Sequence, residues 1–371
     1  MIKQLKQDAA LVFGIITMVL FYTLGQSWLV PLSDHAVAIG LFTWLLVTML
    51  WCAFKVVRHA DALAVKLGEP YGTLVLTLTV TAIEVSLISA VMLTGKANPL
   101  LARDTMMAVV MIVMNGLVGA SLLLGGLKHS EQEYQLEGTR AFLTVITPLV
   151  VIALVLPSFT TSTADPSYTS GQQLVFGAMT IALFGVFLAM QTMQQKHYFV
   201  QPIAAQLHEQ AGETSRRHLD NHGVLYHTLM LLVTITPIVL LSKKLGTVMD
   251  FGIVELQLPV ALSGILIAAI VLTPEGLAAL KAARNNQLQR SINICLGSVL
   301  ATIGLTVPAV LTISLFVGQP VTLGLGPTGI ILIMLTLFSA ALTFGGTKTS
   351  ILQGAVHIAL FLMYLILIFA P

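Results

Sequence analysis

Residues Thr73–Met92 read TLVLTLTVTAIEVSLISAVM, an apolar run with one ionisable side chain, Glu84, near its middle. A helix of about 20 apolar residues crosses a bilayer, and a carboxylate at its centre costs about 2.5 kcal/mol on insertion scales. The rest of the chain says what kind of protein carries such a segment. Of 371 residues, 56% are hydrophobic and 9% are charged, and the mean hydropathy is +0.92. A soluble chain would carry about a quarter charged residues. Composition therefore predicts an all-α, polytopic membrane protein embedded in the lipid bilayer.

Scanning outward from Glu84 predicts eleven transmembrane helices: 8–30, 35–57, 72–95, 104–126, 140–158, 171–191, 224–242, 258–282, 291–317, 326–344 and 350–369. Lys3 and Lys6 ahead of an apolar run resemble a signal peptide, but the run reaches Val30, too long for one, and reads as the first span. With the N-terminus in the cytoplasm, the outer side receives only Lys96, Arg103, Lys243 and Lys244 of the 18 Lys and Arg. That bias predicts an N-in, C-out chain. The net charge of +2 gives no basis for nucleic-acid binding, and Cys52 and Cys295 lie in apolar runs, which implies no disulfide framework.

The longest polar segment, 192–223, reads as a cytoplasmic linker; a regulatory cation site on His208, Glu209, Glu213 and Asp220 is the weaker reading. The expected organisation is an N-terminal helix (1–34), a first five-helix repeat (35–191), the linker, and a second five-helix repeat (224–371). Five is odd, so two such units in one chain enter the membrane from opposite sides, as inverted repeats do. Thr81-Ala82-Ile83-Glu84 then matches Leu272-Thr273-Pro274-Glu275, and Asn115-Gly116 matches Gly297-Ser298 once a longer first-half loop is allowed.

Of 16 Asp and Glu, fourteen, Asp104 among them, sit in loops or at the ends of expected spans, and only Glu84 and Glu275 lie well within one. A matched pair of such costly residues points to cation and proton binding rather than packing. Thr77, Thr81 and Glu84 share a helix face. Pro274 has no N–H for the carbonyl of Ile270, and Thr273 stands beside it. Glutamates, hydroxyls and a freed carbonyl are the oxygen ligands a hard cation takes. Ser298 and Asn115 could present further oxygen, while Gly116 with Ala120 and Ser298 with Thr302 are spaced to let helices approach closely. Asn285, Asn286, Gln287, Gln289 and Arg290 form a polar turn that either lines a mouth or is a solvated loop. No zinc spacing, P-loop or catalytic motif appears, so neither an enzyme nor a cofactor is expected.

Gly68-Glu69-Pro70-Tyr71-Gly72, Glu84, Pro274-Glu275-Gly276 and Gly297-Ser298, with Val56–Asp61 and Arg103-Asp104-Thr105, resemble the calcium/cation antiporter superfamily. The resemblance is to its cation/proton exchanger branch, in particular the bacterial ChaA-type calcium (or sodium, potassium)/proton antiporters. It implies eleven helices, an essential glutamate in the second helix of each repeat, and Glu69 in the polar pathway. The linker lacks the long acidic run suggested for that group, and the two half-sites differ.

The expected function is exchange of cytoplasmic Ca²⁺ for protons by alternating access, with Glu84 and Glu275 as a shared cation and proton site. Removing a carboxyl from water favours its neutral form, so cation and proton compete for it. A sodium or potassium/proton antiporter on the same architecture is the alternative, and a passive cation channel a more distant one. Inorganic cations and protons are the only expected partners besides lipid; a homo-oligomer is compatible with the sequence.

Overall fold

The computed structural model describes residues 9–29, 32, 34–67, 71–92, 99–200, 222–318 and 321–370. Eleven long helices account for most of them: α1 (Ala9–Thr23), α2 (His35–Leu67), α3 (Tyr71–Met92), α4 (Leu101–His129), α5 (Leu136–Phe159), α6 (Ser170–Gln194), α7 (Val224–Glu255), α8 (Ala261–Arg284), α9 (Leu288–Val317), α10 (Pro327–Thr343) and α11 (Ile351–Phe369). Among the described residues, eight helices are long and apolar enough to cross a membrane, and shorter apolar helices cover Ala9–Thr23, Leu78–Ser89 and Pro327–Thr343. Large side chains such as Phe316, Met193, Leu127 and Leu352 stand more than two-thirds exposed. In a membrane protein such residues meet lipid rather than water.

Two helices outrun the apolar segments that predict them. α2 continues to Leu67 and α7 to Glu255, because hydropathy marks where lipid ends and not where backbone hydrogen bonding ends. The expected linker falls largely on residues outside the described ones.

The chain divides into two compact units: residues 1–105 with 222–274, and residues 106–221 with 275–371. Each unit draws on both expected repeats, and the boundary cuts α4 after Thr105 and α8 after Pro274. In the first unit α2 pairs with α7 along its length. His35 Nε2 lies 3.5 Å from Glu255 at one end, and the buried His59 and His227 approach to 3.0 Å between Nδ1 atoms at the other, so the two run antiparallel. α1 lies against both: Trp44 Nε1 donates to Thr17 Oγ1 at 3.1 Å, and a Cβ on Gly14 would come within 2.6 Å of Cys52 Sγ.

In the second unit α4 and α11 pack backbone to backbone. A Cβ on Gly119 would lie 2.9 Å from Ile358 N, one on Gly354 2.7 Å from Leu123 N, and one on Gly126 2.8 Å from Ile351 Cγ1. Small residues let membrane helices approach this closely. The close approach differs from the expected Gly116 and Ala120, since Gly116 meets only the Phe361 ring at ordinary contact distance. A two-residue ladder, β1 (Gln132–Glu133) with β2 (Lys348–Thr349), is antiparallel, pairing Gln132 with Thr349 and Glu133 with Lys348. Lys348 Nζ reaches Glu131 at 3.3 Å and Glu133 at 3.6 Å, and these carboxylates push its ammonium above the ordinary lysine pKa.

π-helical turns interrupt several spans, at Met111–Leu117 in α4, Val151–Val155 in α5, Met190–Gln194 in α6 and Thr302–Thr306 in α9. Met111 lies 27 residues beyond Glu84, and Thr302 lies 27 residues beyond Glu275. This register needs no loop correction, and so differs from the match of Asn115-Gly116 to Gly297-Ser298. Wide turns of this kind recur at functional sites.

Candidate cation and proton site

Among the described Asp and Glu, three are buried: Glu84 at 1% exposure, Asp104 at 8% and Glu275 at 8%. Glu84 sits in α3 of the first unit, in the middle of an apolar helix. Thr81, one turn earlier, is buried at 6%, so hydroxyl and carboxyl share the interior face that their spacing predicts.

Glu275 opens the second unit, directly after Pro274 within α8. Ser298 on α9 donates its hydroxyl to Glu275 Oε2 at 3.0 Å. This brings together two of the expected site residues. The next residue, Gly276, lacks a Cβ where Leu117 presses in: an added Cβ would lie 2.9 Å from Leu117 Cδ2. The π turn of α4 thus packs on the turn of α8 that carries the glutamate.

Other expected residues are placed differently. Thr273 donates to the carbonyl of Ala269 at 2.5 Å, the local bond a helical threonine ordinarily makes. Asn115 is fully buried in the π turn, and both ends of its carboxamide are engaged. Its Nδ2 donates to Thr336 Oγ1 at 2.8 Å, and its Oδ1 lies 2.9 Å from His357 Nδ1. The side chain of Thr77 and all of Glu69 fall outside what the structure describes.

The polar turn after α8 ties elements of the second unit together. Gln289 is fully buried, accepts the Gln135 N–H at 2.7 Å and donates to Asn293 at 2.8 Å. Gln132 Nε2 donates to Ala283 O at 2.9 Å and Asn286 Oδ1 at 3.1 Å.

Asp104 lies at a span end as expected, but it is buried there, in the first turn of α4, where Arg103 Nε donates to its Oδ1 at 2.8 Å. The start of α8 presses on it, since a Cβ on Gly264 would lie 2.6 Å from the carbonyl carbon of Asp104. Its sequence signals are an acid directly after an arginine beside an apolar run and its place in the Arg103-Asp104-Thr105 run. His357, buried on α11, had none.

A sodium/calcium exchanger protein family signature matches residues 37–193 and 226–370. The chain is 39% identical over 372 residues to the sodium-potassium/proton antiporter ChaA of Escherichia coli (strain K12), covering 100% of this chain and 98% of that protein. In fold it is similar to the selenium-substituted Ca²⁺/H⁺ antiporter protein YfkE, with a TM-score of 0.71 at 15% identity over the whole of both chains. It is also similar to the H⁺/Ca²⁺ exchanger CAX, with a TM-score of 0.68 at 12% identity over 98% of this chain and 88% of the other.

Proposed function

Because the chain belongs to the sodium/calcium exchanger protein family, we propose that Glu84 and Glu275 are the residues through which this transmembrane cation/proton antiporter takes its ion and its protons in turn. The observation that carries the reading is the burial of both glutamates inside apolar helices, with Ser298 already hydrogen-bonded to Glu275. Carboxylates held from water at such cost bind either a cation or a proton. Occupancy by one excludes the other, which couples the two fluxes in opposite directions during alternating access. The equal spacing of π turn from glutamate supports two inverted repeats with one carboxylate each.

The cargo is a hard cation drawn from the cytoplasm, with the N-terminus on that side and the protein in the bacterial inner membrane. Two carboxylates with hydroxyl and carbonyl oxygens suit Ca²⁺. A second reading, sodium or potassium, is favoured by the 39% identical sodium-potassium/proton antiporter. Thr81 and Ser298 supply neighbouring oxygen in either case, Thr273 offers the lone pairs its hydroxyl keeps while donating to Ala269, and Glu69 belongs to the polar approach.

Everted vesicles carrying an acid interior test this. Addition of Ca²⁺, Na⁺ or K⁺ releases protons from vesicles with the native protein, and the responding ion identifies the cargo. Glu84→Gln and Glu275→Gln, at equal membrane abundance, abolish the response. Native-like exchange by either variant sinks the assignment of that glutamate, and ion conduction without proton counter-movement favours a channel instead.

A further inference from the structure

We propose that His357, on the last described helix, is a positioning residue for exchange. It holds the π turn of α4 in place against the turn that carries Glu275. The proposal rests on the assignment of Glu275 above.

His357 is fully buried, and both ring nitrogens are used. The oxygen of the Asn115 carboxamide can only accept, so the proton between His357 Nδ1 and Asn115 Oδ1, 2.9 Å apart, belongs to the imidazole. Nε2 of the neutral ring is then an acceptor, and Thr343 Oγ1 donates to it at 3.0 Å. The chain of donors continues from Asn115 Nδ2 to Thr336 Oγ1 at 2.8 Å and from Thr336 to the carbonyl of Leu332 at 2.7 Å. Every hydrogen bond points the same way, and the chain joins α11, α4 and α10.

What it holds matters for the site. Asn115 lies within Met111–Leu117, a π turn that carries one residue more than an α turn and has poorer hydrogen-bond geometry. Leu117, at the end of that turn, fills the space a Cβ would take on Gly276. His357 therefore fixes Asn115, Asn115 fixes the wide turn, and the wide turn seats Leu117 beside Glu275. Glycines bring the helices close enough for this, since a Cβ on Gly119 would sit 3.0 Å from His357 Cβ.

Two substitutions separate positioning from filling space. The amide nitrogen of asparagine occupies the place of His Nδ1, and that of glutamine the place of Nε2. His357→Asn keeps the donor to Asn115, and His357→Gln loses it. In everted vesicles His357→Asn retains apparent cation affinity within about threefold, while His357→Gln weakens it about tenfold, the size of one lost buried hydrogen bond. Asn115→Leu combined with His357→Gln weakens affinity no further than Asn115→Leu alone, because the two act as one unit.

Equal losses in the two His357 variants, the opposite order, additive losses in the double variant, or failure of both variants to insert would overturn positioning and leave a folding role. The Glu275→Gln control keeps the outcomes apart. Native exchange in that control defeats the underlying assignment, whereas a silent control with indifferent His357 variants defeats only this proposal.

Discussion

The Ser298 hydroxyl donates to Glu275 Oε2 at 3.0 Å, so the one carboxylate buried among the described residues of the second unit already has a hydroxyl partner. A hydroxyl can turn from donor to acceptor as the carboxyl changes from carboxylate to acid, which suits a group that alternates between ion and proton.

Ser298→Ala removes that bond. A hydrogen bond to a charged group is worth about 1.5–3 kcal/mol, so apparent cation affinity in vesicle exchange falls about tenfold or more. Unchanged affinity would place Ser298 outside the site.

Asp104→Ala removes the carboxylate to which Arg103 donates at 2.8 Å and opens space under α8. We expect a loss of about 1–3 kcal/mol, less than for a wholly buried pair because Arg103 keeps 21% side-chain exposure. Chemical unfolding of purified protein, together with Arg103→Ala and the double variant, measures the coupling. Additive effects would show that the pair contributes nothing as a pair.

Gly119→Ala sets a Cβ 2.9 Å from Ile358 N, and overpacking of this kind costs about 1–3 kcal/mol. Gly40→Ala on α2 meets nothing within 4 Å and gains up to about 1 kcal/mol from helix propensity. Thermal melts in detergent should move in opposite directions for the two.

Tyr134, between α4 and α5, donates its hydroxyl to Gly346 O and is 3% exposed. Burial pushes its phenol up to about 12 from the ordinary 10.0. A raised folded-state pKa contributes stability that is full below pH 10 and is lost as pH rises toward 12. Tyr134→Phe costs about 1 kcal/mol at neutral pH and flattens the decline in melting temperature across that alkaline window. A decline as steep as in the native protein would exclude Tyr134 as its source.

The apolar helices and the burial of the two glutamates were legible because lipid makes both conspicuous: apolar runs of the right length, and acids where acids are costly. Asp104 was not, because hydropathy cannot tell a carboxylate at a wet helix end from one buried there beside its arginine. Nor was the pairing of Asn115 with His357, 242 positions along the chain. Gly116 and Gly119 look alike as letters, and only the orientation of α4 decides which one admits α11. Thr273 reads as a ligand or as a local helix bond equally well, and it makes the local bond.

The interval from Glu84 to Met111 equals that from Glu275 to Thr302, although α4 starts 17 residues after its glutamate and α9 only 13 after its own. On the inverted-repeat reading proposed above, the loop ends differ between the halves while the distance from carboxylate to wide turn is the same. For chimeras built on that reading, this interval is the length to preserve, and the loops are where cuts and insertions belong.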